Sequence, residues 1–260
     1  MTPKKIALLT DSSADLRWDQ ARENNIFFVP LRILCEDGEY LDGVNITGPD
    51  IYQRLHNGEL PQTSLPRVED FSAKLREIFD LGYDGVIAVM LSSGLSGTYN
   101  LARILAGECA EQGYAMKVFD SVSGALGQGM TVLQLAEDIK NGMDWEELTE
   151  RRAPQLIANT YPFFSVDTLE YLVKGGRIGK VTAMAGTMLQ IKPIKRFHNL
   201  PGKPGCKYAG QEQHKYQNCS KRRKQLQEQH PYRSLVTGNS QHIAIFKAYC
   251  IIHCFFGKRG

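Results

Sequence analysis

Apolar and polar positions follow two periods along most of this chain. Runs that are apolar almost throughout occur at Lys4 to Asp11 (KKIALLTD) and Asp84 to Met90 (DGVIAVM) and predict buried strands of a parallel sheet, and Ala115 to Asp120 (AMKVFD) predicts a further strand. Between them the period lengthens to that of a helix. Phe71, Leu75, Ile78 and Phe79 recur at helical spacing and predict a helix over Val68 to Phe79. Further helices are predicted over Asp15 to Asn24, Pro49 to His56, Thr98 to Gln112, Gly124 to Gly142 and Asp144 to Asn159. Ile26 to Cys35 (IFFVPLRILC) predicts another strand, with Pro30 at an edge or bulge position. The Asp-Gly step in EDGE predicts a turn into a returning strand at Tyr40 to Ile46. The proline-bracketed PQTSLP (Pro61 to Pro66) predicts an extended loop that displays the hydroxyls of Thr63 and Ser64.

Strands and helices that alternate at this spacing define an α/β fold, with a parallel sheet covered by helices on both faces in three layers. Tyr161 to Asp167 (YPFFSVD) then predicts a strand that opens a second, smaller α/β domain. It is followed by a short helix over Thr168 to Lys174, closed by Gly175 and Gly176, and by the basic loop GGRIGK with Arg177 and Lys180. A helix over Thr182 to Gln190 and a strand at Ile191 to Ile194 complete the readable pattern. We therefore divide the chain into an N-terminal domain over 1–159, the start of a second domain over 160–194 that is incomplete, and a tail over 195–260.

Charge sharpens that last boundary. The formal net charge over all 260 residues is +3, yet from Lys195 onward only Glu212 and Glu228 are acidic, so the tail is strongly basic and the preceding part acidic. Lys195 to Gln229 is rich in Lys, Gln, Gly and Pro, and only Ile243 to Phe256 is strongly apolar again, too short to span a bilayer as a helix. No membrane span is read anywhere, and MTPKKIALLTDSS fits a first strand better than a cleaved leader, so a cytoplasmic location is expected.

The candidate chemistry lies at the carboxyl ends of the strands, where parallel α/β folds bind ligands. Asp11/Ser12, Ser92/Ser93 and Asp120/Ser121 are expected on one rim. The turn MLSSGLSGTYN (Met90 to Asn100) joins a buried strand to a helix, and the first N–H groups of a helix with its dipole favour an anion. Catalytic readings fail on spacing. Gly94-Leu95-Ser96-Gly97 has Thr98 where a nucleophile elbow needs glycine, and His56 is the only histidine before the tail, which weakens a hydrolase. GGRIGKVT has Lys174 and Val181 where a phosphate loop needs glycine and Ser/Thr, and Gly124, Gly127 and Gly129 do not follow the dinucleotide order. The tail cysteines and histidines form no C-x-x-C pair, so no metal and no cofactor are expected. The run Lys221 to Lys224 suits a solvated basic stretch better than a nucleic-acid contact. What remains is a non-catalytic anion site in which Thr63 and Ser93 hold a carboxylate, or else hydroxyls that only cap helices and turns.

TDSSADL, PQTSLP, LSSGLSGTYN, FDS and TLEYLVKGGRIGK, in that order over Lys4 to Ile194, resemble the DegV family of bacterial fatty-acid-binding proteins, the lipid-binding partners of fatty acid kinase. The resemblance implies a two-domain fold with a long-chain fatty acid buried between the domains. It implies Thr63 and Ser93 as ligands of the carboxylate, with Ser64, Ser92 and Ser96 as weaker candidates. It also implies an ATP-dependent kinase subunit that converts the presented acid to an acyl phosphate, so that the chain itself is a carrier and not an enzyme. Arg177 matches a region with which the family meets that kinase; capping a helix or pairing with a carboxylate is its alternative role. Readings from other classes are a small α/β hydrolase and a basic-tailed nucleic-acid-binding protein. After Ile194 the motif resemblance stops, as it would at a shifted reading frame, and a lipid tunnel that depends on the second domain would lose a wall there.

Overall fold

The computed structural model describes residues 2–160, 163–165, 170–177, 194–196 and 247–249. The chain opens with β1 (Ile6–Asp11), a 3-10 turn (Ser12–Ala14), α1 (Trp18–Glu23), β2 (Ile26–Val29), β3 (Arg32–Cys35) and β4 (Gly38–Leu41). There follow α2 (Gly48–His56), β5 (Gln62–Ser64), α3 (Val68–Asp80), β6 (Gly85–Met90), α4 (Thr98–Glu111), β7 (Ala115–Asp120) and α5 (Ala125–Lys140). A π-helical stretch (Glu147–Arg152) runs into α6 (Ala153–Asn159), and β8 (Phe163–Ser165), α7 (Glu170–Lys174), β9 (Ile194–Arg196) and β10 (Lys247–Tyr249) come last.

The main sheet has the order β2-β1-β6-β7 with every pair parallel. Successive side chains on a strand point to opposite faces, and here both faces are buried. Ala7 and Leu9 of β1, with Val86, Ala88 and Met90 of β6, pack with Phe71, Leu75 and Ile78 of α3 and Leu101, Ala102 and Leu105 of α4. Leu8, Ile87 and Val89 face the other way, toward Ala14, Val132, Leu135, Leu148 and Ala153. This accounts for the unbroken apolar runs in the sequence and gives the expected three layers. Each Leu, Ile or Phe so buried contributes about 1.5–3 kcal/mol relative to exposure. Strand β1 connects to β2 on one side and pairs with β6 on the other, so the topological switch point lies between the ends of β1 and β6, at Asp11 and Met90.

Three local expectations are revised. Ile26 to Cys35 is not one strand: Pro30, which has no amide hydrogen to give a ladder, separates β2 of the main sheet from β3 of a second, antiparallel sheet ordered β4-β3-β5. PQTSLP is not only a loop, because Gln62–Ser64 pairs with β3, Thr63 opposite Ile33 and Ser64 opposite Arg32. The returning strand of the hairpin is β4, shorter and earlier than Tyr40 to Ile46, and Cys35 pairs with Gly38 across Glu36 and Asp37. Helix α2 opens as the sequence demands, with a Thr47/Asp50 capping box and Pro49 in the first turn.

In the later part β8 pairs antiparallel with β9 and with β10. Two segments of the tail, Lys195–Arg196 and Lys247–Tyr249, are thus strands beside Phe163–Ser165. The predicted helix Thr182 to Gln190, Lys180 and the run Lys221 to Lys224 lie outside the described residues.

Candidate functional site

The three strand ends predicted to share a rim are hydrogen-bonded to one another. Asp11 closes β1; its Oδ2 accepts the amide hydrogen of Leu91 at 2.7 Å, and its Oδ1 accepts those of the Ser13 amide and hydroxyl. The Ser92 amide donates to the carbonyl of Ser123 at 2.9 Å, and the Ser93 amide donates to the Asp120 carboxylate at 3.2 Å. Behind this rim Gln128 donates to Thr10 Oγ1 and to the carbonyl of Val89, and Thr10 Oγ1 donates to the same carbonyl. Burial pushes the Asp11 carboxyl up from its ordinary value, against the opposing pull of the Leu91 amide and the Ser13 hydroxyl and amide. Burial likewise raises Asp42, whose carboxylate meets the hydroxyl of Ser12 and the charge of Asp11.

Most amides of the turn that leads into α4 already have acceptors within the protein. The Ser92 and Ser93 amides are used as just described, the Gly94 amide donates to Ser92 Oγ, the Leu95 and Ser96 amides donate to the Ser92 carbonyl, and the Thr98 amide donates to Ser96 Oγ. These bonds fix the shape of the turn, and its side-chain hydroxyls are groups that can meet a ligand.

Those hydroxyls differ in their commitments. Ser92 is buried, and Ser92 Oγ is an acceptor within the turn. Ser96 Oγ lies 2.9 Å from Thr98 Oγ1, and Ser64 Oγ accepts from Arg32 Nη2 at 2.9 Å. Ser93 is exposed, and its hydroxyl makes no hydrogen bond among the described residues. Thr63, also exposed, accepts at 3.4 Å from Arg177 Nη2 and keeps its own hydrogen to donate. The two hydroxyl-bearing segments approach each other: a Cβ on Gly97 would lie 3.8 Å from Leu65 Cδ2. Ser93 and Thr63 are therefore on neighbouring segments, although they share no hydrogen bond.

Arg177 follows α7, where its amide donates to the Leu172 carbonyl at 2.9 Å and Gly176 adopts a positive φ of 73°. Its Nη1 bonds the carbonyl of Gly175, so it does cap the helix end, while Nη2 reaches Thr63. No described carboxylate forms an ion pair with it. Sequence reasoning missed Arg32 and Leu65; the signal available was a charged residue inside the apolar run IFFVPLRILC.

No histidine among the described residues bonds Ser92, Ser93 or Ser96, so the turn holds no serine-base pair there. One group, Cys35, Asp37 and Glu59, has ligand atoms close enough to share an ion. Its carboxylates are instead held by the Arg54 guanidinium, at 2.9 Å and 2.7 Å to Asp37 and 2.9 Å to Glu59. No described helix is long and apolar enough to cross a membrane.

A parallel sheet covered by helices on both faces, with the exposed Ser93 beside its switch point and a small antiparallel sheet carrying Thr63, defines an α/β protein of the three-layer class. Comparison with known proteins makes this specific: the profile described as an uncharacterised protein of the DegV family matches residues 5–247, and the chain belongs to that family. The match continues beyond Ile194, where the motif resemblance ended. A DegV domain-containing protein of Clostridium acetobutylicum is 39% identical over 191 residues, covering 74% of this chain and 67% of the relative. One of Clostridium perfringens is 40% identical over 191 residues, covering 74% and 66%. The aligned part thus spans about two thirds of the length of these relatives. Among solved structures, a DegV family protein of Thermus thermophilus described for its fatty acid binding superposes with a TM-score of 0.68 at 34% identity, covering 75% of this chain and 68% of that one. DegV of Bacillus subtilis, described as a fatty acid binding protein, gives 0.69 at 29% identity, covering 86% and 77%. A stearic acid-binding protein of Eubacterium ventriosum gives 0.68 at 28%, covering 86% and 77%.

Proposed function

We propose that this chain binds a long-chain fatty acid, with its carboxylate held by the hydroxyls of Thr63 and Ser93, and presents it to an ATP-dependent kinase subunit. The observation that carries the reading is the approach of the β5 segment to the serine-glycine turn through Leu65 and Gly97, with the Thr63 and Ser93 hydroxyls free to donate. The fatty acids bound by the Thermus, Bacillus and Eubacterium relatives support the ligand class. Hydroxyl donors suit an ionised carboxylate, which only accepts hydrogen bonds. Ser64, Ser92 and Ser96, whose oxygens have partners within the protein, serve mainly to shape the site.

In this reading the acyl chain lies between the 1–159 domain and the second domain that begins near residue 160, and the strands β8, β9 and β10 belong to the cover. Chain burial, at about 0.8 kcal/mol per methylene, sets affinity, whereas the hydroxyls set orientation. The carboxylate oxygen then attacks the terminal phosphorus of ATP on the partner, giving acyl phosphate and ADP. Arg177, exposed beside Thr63, is the contact offered to the kinase, and the reaction takes place in the cytoplasm.

Native mass spectrometry of the purified chain tests the binding step. A mass increment matching a fatty acid, lost on denaturation, is expected. A chain that is empty and takes up no added palmitate would overturn the proposal.

A further inference from the structure

Strand β3 carries an arginine where its neighbours are apolar. Arg32 and Ser64 are opposite in register, as are Ile33 and Thr63, so the two pairs project from opposite faces of the β4-β3-β5 sheet. Ile33 is buried, at 4% exposure, on the same face as its cross-strand partner, the exposed Thr63. On the other face the Arg32 guanidinium reaches three acceptors at once. Nε donates to the Leu65 carbonyl at 2.8 Å, Nη2 donates to Ser64 Oγ at 2.9 Å, and Nη1 donates to Glu39 Oε2 at 3.0 Å. The other Glu39 oxygen is held by Arg67 Nη2 at 2.9 Å, just past the end of the same segment. Strand β5 is only three residues long and lies at the edge of its sheet, so its own ladder fixes it weakly. The planar fork supplies what the ladder lacks, because a guanidinium bonds several acceptors in one rigid geometry and an ammonium does not.

We infer that Arg32 is the positioning residue of the carboxylate site: by clamping Ser64 and Leu65 from behind, it sets the direction of the Thr63 hydroxyl and the approach of Leu65 to Gly97. The inference rests on the fatty-acid reading above. Arg32 touches no ligand in this account; it acts through Thr63. Its effect therefore concerns the acid head and not the acyl chain, and this separates positioning from general stabilisation.

The test uses the full chain, with palmitate and 1-hexadecanol as probes that share a chain length and differ in the head group. Arg32→Lys keeps the charge opposite Glu39 and loses the fork. It should weaken palmitate about tenfold, the scale of one charge-assisted hydrogen bond, and leave hexadecanol within about twofold. In a Thr63→Val background the same substitution should change palmitate affinity less than about twofold, because the group it positions is gone. Equal weakening of acid and alcohol, or an undiminished effect in the Thr63→Val background, overturns the inference, as does an Arg32→Lys chain that binds palmitate like the wild type. A wild-type chain that takes up neither probe overturns the fatty-acid reading itself, so the two failures are distinct. Thermal unfolding of each variant shows whether a loss common to both probes is loss of fold.

Discussion

Asp11 Oδ2 and the amide of Leu91 lie 2.7 Å apart, and this bond joins the end of the first strand to the first residue of the serine turn. It spans the switch point between β1 and β6, so the turn that carries Ser93 is held by a side chain eighty positions earlier in the sequence. Asp11→Ala would leave the amides of Leu91 and Ser13 without their acceptor in a region closed to water. A loss of about 2–3 kcal/mol is expected, measured by chemical denaturation, together with weaker acid binding.

Asp42 allows a pH test with a definite sign. Its folded-state carboxyl is raised above the ordinary value of 3.8, first by burial, with the Asp11 charge adding and the Ser12 hydroxyl opposing. A carboxyl raised in this way binds its proton more tightly in the folded than in the unfolded chain. Its ionisation therefore costs nothing below the unfolded value, and the cost grows as pH rises through the folded value. Asp42→Asn should be more stable than the wild type at neutral pH, and the advantage should vanish as pH falls toward 3.8. Denaturation midpoints across the acid range check the slope.

The hydroxyls of Thr63 and Ser93 should matter individually. Ser93→Ala and Thr63→Val each remove one donor to a charged acceptor and are expected to weaken palmitate by about tenfold or more, with unfolding midpoints little changed. Isothermal titration checks this, and affinities equal to the wild type would assign the carboxylate to other groups.

A saturated-acid series reads the acyl chain separately. At about 0.8 kcal/mol per buried methylene, affinity should rise about fourfold for each added carbon until the cavity is filled. A flat series would mean that the chain stays in solvent.

Gly129 tests the packing behind the rim. A Cβ there would run into the carbonyl oxygen of Ala14 and stand 3.0 Å from Leu16 Cδ2. Because one obstacle is backbone, Gly129→Ala should destabilise by about 2–3 kcal/mol despite the higher helix propensity of alanine. Thermal unfolding measures it.

Much of the main sheet was legible from apolar periodicity alone. A strand buried on both faces has no polar alternation, and KKIALLTD and DGVIAVM are such runs, whereas AMKVFD, with Lys117 exposed, is the partly buried edge strand. The small sheet was less legible because its cues are non-local. Gln62–Ser64 has the composition of a loop and becomes a strand only because β3 offers it a partner. Thr63 and Ser93 could be singled out as hydroxyls near strand ends, but nothing in their neighbourhood in sequence separates them from Ser64, Ser92 and Ser96. That difference is made by Arg32, Gly94 and Thr98, which occupy the latter three. The amide partners were hidden for a related reason: sequence marks a helix start but does not reveal that Asp120 and the Ser92 carbonyl take the N–H groups of Ser93, Leu95 and Ser96 just before it.

The main sheet and the β10-β8-β9 sheet also differ in how far the chain must travel to close them. All four strands of the main sheet are contained between Ile6 and Asp120, whereas β8 finds one neighbour at Ile194–Arg196 and the other at Lys247–Tyr249. Loop closure costs more entropy as the intervening segment lengthens, and distant pairings slow folding. During synthesis, then, the rim with Asp11, Ser93 and Asp120 can assemble while the last partner of Phe163–Ser165 is still to be made. On the proposed fatty-acid reading, order of emergence gives the site a finished floor before it has a roof.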